Sequence, residues 1–287
     1  MHSFLPLLLL PALTLAAPAP LSSSDTATDM DAVISGTTPC ASNAVLFARG
    51  TFDSGNIGVW VGPFLRDSAL SAFAGDVHVQ GVDAKDYPAN LADYVKEGGS
   101  ESCADACAET VEAYVGKCPH ANVFLSGWSQ GALCAHKCVN RISAKAATQL
   151  KGLATFGDEN ALMDSPSLVP SKLPFKSYCN EDNASPDLLC TATALSGVQL
   201  PSSIAQWKTE VYGHLALLKD AATNAAQLKS AAALPGTILG AFFGVSKYFL
   251  LDVATGNVRR WLVLPPHFVY GNNGMAGQAA KWMASLV

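Results

Sequence analysis

Along the chain, short apolar runs alternate with longer stretches in which apolar residues return every three or four positions. The runs Ala44–Ala48, Val77–Val82, Val123–Leu125, Leu153–Phe156 and Phe175–Tyr178 read as buried strands. Helical spacing occupies about Pro63–Ala74, Glu101–Val115 and the residues after Gly131. Residues 53–62 and 83–90 read as loops, and Trp261–Leu264 as a late strand ending at Pro265-Pro266. Strands alternating with helices predict an α/β fold: a doubly wound, mostly parallel sheet with helices on both faces. Such sheets bind ligands at the carboxyl ends of their strands.

Two stretches break this rhythm. Residues 1–17 have an apolar core too short for a bilayer and end in small residues, which predicts a secretory signal peptide, although no Lys or Arg precedes the core. Residues 18–39 are rich in Ser, Thr and Asp and predict a disordered mature N-terminus or pro-segment, leaving 40–287 as one domain. Further on, 203–233 reads as one long helical pattern. The apolar stretch 234–251 that follows is interrupted by Pro235, Gly236, Gly240, Gly244 and Lys247. Its length suffices for a membrane, but the glycines, proline and lysine predict no stable transmembrane segment.

Composition narrows the class. The net charge of −5 gives no support for nucleic-acid binding, and 14% charged against 49% apolar residues suits a compact secreted enzyme. Eight cysteines fit an oxidising compartment and up to four disulfides. Cys103 and Cys107 share one helix face, as do Cys134 and Cys138. Parallel neighbouring helices would pair Cys103–Cys134 and Cys107–Cys138, antiparallel ones the crossed set. A zinc site is the rival use of these four sulfurs. Asn183-Ala-Ser185 is an N-glycosylation sequon.

The chemistry centres on Gly127-Trp128-Ser129-Gln130-Gly131, a G-x-S-x-G motif between the strand 123–125 and a helix. A serine at such a turn is strained and projects its Oγ at a helix N-terminus, where free N–H groups favour negative charge. Acyl transfer needs such a place for its oxyanion. The nucleophile needs a base and an orienting carboxylate, which follow it in chain order in hydrolases of this type. His267, on a loop after Pro265-Pro266, is preferred over His214, which lies in a helical pattern. The loop from Cys179 to Cys190 offers Glu181, Asp182 and Asp187, with Asp158 and Glu159 as the competing pair.

These residues resemble the cutinase family of serine esterases, which includes acetylxylan esterases. Phe47-Ala-Arg-Gly-Thr51 with Gly55-Asn-Ile-Gly58 resembles its first strand and oxyanion loop. Gln80-Gly-Val82, Tyr87-Pro-Ala-Asn90, Cys118-Pro119 and the serine motif follow its order, with Trp128 where the family usually has Tyr. Asp187-Leu-Leu-Cys190 and His267-Phe-Val-Tyr270, followed by Gly274-Met, resemble its acid and histidine motifs. The resemblance implies an α/β-hydrolase fold, Ser129 as nucleophile, His267 as base and Asp187 as orienting acid. It also implies an oxyanion hole from Gln130 and Thr51, the disulfides Cys40–Cys118 and Cys179–Cys190, and no cofactor or metal.

One departure is large, because Asp187 and His267 stand 80 positions apart where the family keeps a short connection. The intervening 191–264 reads as an insertion, either a lid or lipid-facing wall, or an extra helical layer. The expected protein is a monomeric secreted esterase acting on carboxylic esters, polymeric or lipid-interfacial ones included. Acetylxylan esterase and lidded lipase are the enzymatic rivals, and a silent surface-binding protein of the same fold the non-enzymatic one.

Overall fold

The computed structural model describes residues 24–182, 185–191 and 200–287. The expected signal peptide and the sequon residue Asn183 lie outside the described residues. Five parallel strands form one sheet: β1 (Asn43–Ala48), β2 (Val77–Gly81), β3 (Asn122–Trp128), β4 (Leu150–Phe156) and β5 (Phe175–Tyr178). Their order is β2-β1-β3-β4-β5, with every pairing parallel. Order reverses at β1, the kind of switch point where α/β sheets open a crevice.

The helices are α1 (Asp29–Ile34), α2 (Gly62–Ala72), α3 (Leu91–Glu97), α4 (Glu101–Lys117), α5 (Gln130–Val139), α6 (Ala144–Ala147), α7 (Ile204–Ala221), α8 (Ala225–Phe242), α9 (Ser246–Thr255) and α10 (Met275–Ala284). Side chains alternate across a strand, so β1 feeds two cores. Val45 and Phe47 pack with α2 and α10, through Phe64, Leu65, Ala279 and Met283. Ala44 and Leu46 pack with α1, α4 and α5, through Met30, Val111 and Ala135. The result is the doubly wound α/β sandwich that the alternating pattern predicts.

All eight cysteines are paired. Cys103–Cys134 and Cys107–Cys138 make two rungs between α4 and α5, each with Cα atoms 5.8 Å apart. Parallel helices on one sheet face require this pairing, and it leaves no thiolate for zinc. Cys40–Cys118 and Cys179–Cys190 complete the set.

Three local expectations need correction. Residues 24–39, expected to be disordered, are folded: α1 buries Met30 and Val33, and Thr28 bridges Gln80 of the edge strand β2. Only a few apolar anchors in a Ser/Thr/Asp-rich stretch hide this from composition. The helical pattern of 203–233 is two helices, because Ser203 and Asn224 each cap a new first turn, accepting from Gln206 N–H and Gln227 N–H. Trp261–Leu264 is no strand: Val258–Trp261 and Pro265–Phe268 are 3₁₀ turns, and the two prolines lack ladder donors.

Between α7 and the first of these turns lies an aromatic nest. Trp207 stacks on Phe242 at 4.0 Å, and Phe249 meets Trp261 edge-on at 5.4 Å. Such pairs add about 0.5–1.5 kcal/mol each beyond their buried area. Trp60 Nε1 donates to Ser230 Oγ at 3.1 Å, and Gln227 Nε2 to Val59 O at 3.2 Å, tying α8 to the loop after β1. Among the described residues no single helix is long and apolar enough to cross a membrane. The paired α8 and α9 reach the length only across an 84° bend.

Candidate active site

Ser129 follows β3 directly and caps α5. Its φ of 57° lies in the left-handed region, a strained position for a residue with a side chain. The flanking glycines explain how the turn closes. A Cβ on Gly127 would lie 2.1 Å from Gly131 O, and one on Gly131 would lie 2.0 Å from Ala48 O. Only bare backbone lets the strand, the turn and the end of β1 approach so closely.

β1 and β3 pair in register up to Ala48 opposite Gly127, which brings Thr51 beside the turn. Thr51 Oγ1 donates to the side-chain Oε1 of Gln130 at 3.0 Å. Gln130 is buried and stands at the first position of α5, where backbone N–H groups have no intrahelical acceptor. The Thr51 side chain and the N-terminal end of α5 at Gln130 thus meet beside the serine.

The histidine and the acid arrive from later loops. His267 sits in the 3₁₀ turn Pro265–Phe268 and is buried. Its Nδ1 lies 2.7 Å from Asp187 Oδ2. Asp187 is wholly buried within the ring closed by Cys179–Cys190. Leu189 N–H donates to its Oδ1 at 3.0 Å, and Tyr270 Oη to its Oδ2 at 2.5 Å. Burial by itself would raise the Asp187 pKa, but the charge of His267 and these hydrogen bonds hold it below the ordinary value. The same carboxylate raises the His267 pKa against its own burial. Trp128 fixes the loop from below: its Nε1 donates to His267 O at 2.9 Å and its ring lies 5.6 Å from the imidazole. Gly157 leaves room for the ring, since a Cβ there would meet His267 Cε1 at 2.6 Å.

The other sequence candidates go elsewhere. His214 is half-buried on α7 and lines a separate cleft with Pro265 and Pro266. Glu181 and Asp182 are exposed. Asp158 accepts from Thr155 Oγ1 and pairs with His136 Nε2, each at 2.7 Å, away from His267. Glu159 has a different position. Ser129 Oγ donates to Glu159 Oε1 at 3.0 Å, and His267 Nε2 lies 3.5 Å from the same oxygen. Burial pushes the Glu159 pKa up, against the opposing charge of His267. Tyr94, from α3, binds the other carboxyl oxygen. Neither Tyr94 nor this role of Glu159 emerges from sequence reasoning. The available signal is that Glu159 lies just past the carboxyl end of β4, the strand beside the serine.

A cavity opens over Ser129. Thr51, Glu159 and His267 form its polar floor, and Leu189, Trp207, Leu234, Ile238 and Trp261 its apolar walls. Three of those wall residues come from α7 and α8, so the segment between acid and histidine builds the pocket. Its outer surface is also apolar: Phe243 is 68% exposed, and Leu250 and Leu251 are more than half exposed.

A parallel sheet carrying a strained serine at the end of a central strand, with a histidine and a buried carboxylate on later loops, is the architecture of the α/β hydrolases. The family model described as Cutinase matches residues 39–227. The chain belongs to this family of carboxylic ester hydrolases. Cutinase CUT1 of Coprinopsis cinerea is 35% identical over 151 residues, 53% of this chain and 71% of that protein. Cutinase 4 of Emericella nidulans is 34% identical over 196 residues, 68% of this chain and 74% of that one. Among solved structures, a Trichoderma reesei cutinase in complex with a C11Y4 phosphonate inhibitor aligns over 92% of this chain and 79% of its own, at TM-score 0.49 and 20% identity. An acetylxylan esterase aligns over 50% and 84%, at TM-score 0.38 and 22% identity.

Proposed function

We propose that this protein is a secreted serine esterase working through an acyl-enzyme on Ser129. The observation that carries this reading is the convergence at one pocket of the strained Ser129 with the buried His267–Asp187 pair, bonded at 2.7 Å. His267 Nε2 would take the Ser129 proton as Oγ attacks the ester carbonyl, then return it to the leaving alcohol. Asp187 would hold the tautomer with the proton on Nδ1 and stabilise the imidazolium. The N–H groups of Gln130 and Thr51 would bind the oxyanion. Water activated by His267 would then release the acid.

The apolar walls supplied by α7, α8 and the turn before His267 favour esters with an extended acyl chain over acetyl groups on a polysaccharide. We read 191–264 accordingly as an insertion that forms the acyl site within one hydrolase domain. Four disulfides support an oxidising, extracellular destination.

The test is labelling with a fluorophosphonate together with ester kinetics. Wild-type protein should be labelled at Ser129, and Ser129→Ala should lose labelling and at least about 10³-fold in kcat. Retained turnover in the alanine variant would refute the nucleophile. Rates against esters of graded acyl length, with acetylated xylan alongside, test the substrate class.

A further inference from the structure

In the resting structure Ser129 Oγ is bonded not to His267 but to Glu159, and His267 Nε2 has no hydrogen-bond partner. Glu159 is 2% exposed. Tyr94 Oη is placed to donate to both Arg260 O, at 2.9 Å, and Glu159 Oε2. A phenol has a single proton to donate, and a backbone carbonyl only accepts. If Tyr94 donates to Arg260 O, its contact with Glu159 is satisfied only when Glu159 carries a proton on Oε2 and donates it. The bare Oε1 then accepts from Ser129.

We infer that Glu159 is a positioning residue that rests as a neutral acid, donating to Tyr94 through Oε2 and holding the Ser129 hydroxyl through Oε1, and that its ionisation switches the nucleophile off. This rests on the triad proposed above. Neutral, Glu159 holds Ser129 by an ordinary hydrogen bond that substrate binding breaks, letting Oγ turn to His267. Ionised, the same oxygen would grip the hydroxyl by a stronger, charge-assisted bond. It would pair with protonated His267 at 3.5 Å and oppose negative charge growing on Oγ. The charged and titratable groups that face or flank this carboxyl are Tyr94, then Arg260 with its partner Asp252. Beyond them are His267 with Asp187 and Tyr270 behind it, and the Asp158–His136 pair next in the chain. His267 and Glu159 are close enough to titrate as a pair, so the pH profile reports both.

The experiment is the pH dependence of kcat/KM on a soluble ester, with samples returned to neutral pH to exclude denaturation. Wild-type kcat/KM should fall on an alkaline limb, tenfold for each pH unit beyond it. Glu159→Gln keeps an acceptor towards Ser129 and a donor towards Tyr94 but cannot ionise, so its profile should lose that limb, whatever its height. Tyr94→Phe removes the acceptor that stabilises the neutral acid, so its limb should move to lower pH. An alkaline decline that is absent in wild type, or unchanged in Glu159→Gln, overturns the proposal. A limb that moves to higher pH in Tyr94→Phe overturns the proton's placement, since Tyr94 would then be donating to a carboxylate. Failure of the triad itself shows separately, as turnover surviving in Ser129→Ala.

Discussion

Replacing Tyr270 by phenylalanine removes one hydroxyl from the support of the catalytic pair. Tyr270 is fully buried, and its Oη donates to Asp187 Oδ2 at 2.5 Å while accepting from Asn180 N–H at 3.2 Å. The ring volume is kept, so no cavity forms and the loss is that of the hydrogen bonds. A bond to a buried carboxylate contributes about 1.5–3 kcal/mol, and that is the expected destabilisation at pH 7. Its pH dependence follows from Asp187. The folded-state pKa lies below the ordinary value, so the ionised form's stabilisation is complete above the unfolded pKa of about 3.9 and is lost as pH falls through the folded value. Once Asp187 is protonated the Tyr270 bond is neutral, and the penalty should shrink to about half. The assay is urea unfolding of the disulfide-intact variant and wild type at pH 7 and in steps below pH 4. A penalty under about 0.5 kcal/mol at pH 7, or one that does not shrink with acid, would refute this account. Turnover should fall less than in a variant lacking the carboxylate, because the His267–Asp187 bond remains.

The two aspartates that compete in the sequence should separate cleanly. Asp187→Asn should cut kcat on the order of 10⁴-fold by spoiling the His267 tautomer, whereas Asp158→Asn should act through stability by breaking its buried pair with His136, and steady-state kinetics with melting curves distinguish the two. Asp53 makes the opposite case to Asp187: burial pushes its carboxyl up to about 7, against hydrogen bonds from Val59 and Ser54 N–H. Between the unfolded value and about 7 the folded state binds the extra proton, so stability should fall as pH rises through that window. Asp53→Asn should abolish that decline, recovering on the order of 4 kcal/mol at pH 8, and denaturation midpoints across pH 4–8 measure it.

The strands were legible because each is a short apolar run between turn residues, and the rungs between α4 and α5 because cysteines four apart share a helix face. The serine turn was legible from its glycines, since a Cβ at either position would collide with backbone. What stayed hidden depends on contacts between remote segments. Glu159 looked like a spare acid beside Asp158, since nothing local says which of two adjacent carboxylates turns towards the serine. The break between α7 and α8 was readable in principle. Ser203-x-x-Gln206 and Asn224-x-x-Gln227 are both capping patterns, and each Gln side chain reaches back to the N–H before its cap. Hydrophobic periodicity ran across that break and concealed it. Pro235 suggested a stop, yet α8 continues through it.

The segment before β1 has a consequence for handling the protein. β2 is the outermost strand on its side, and an open strand edge is a template for another chain. Here Asp29 Oδ2 takes the Val79 N–H and Ala27 O takes the Gly81 N–H, while Gln80 Nε2 donates to Asp31 Oδ2 and Gln80 Oε1 accepts from the Asp31 N–H. The sheet's free border is thus sealed by the chain's own preceding residues. Expression from Cys40 onwards, which would keep every element of the catalytic site, would unseal it. Such a shortened protein should retain its fold and chemistry at high dilution but become concentration-dependent in solution, clumping through β2. Where the chain is trimmed, by a protease or by a cloning decision, therefore bears on its solubility before it bears on its activity.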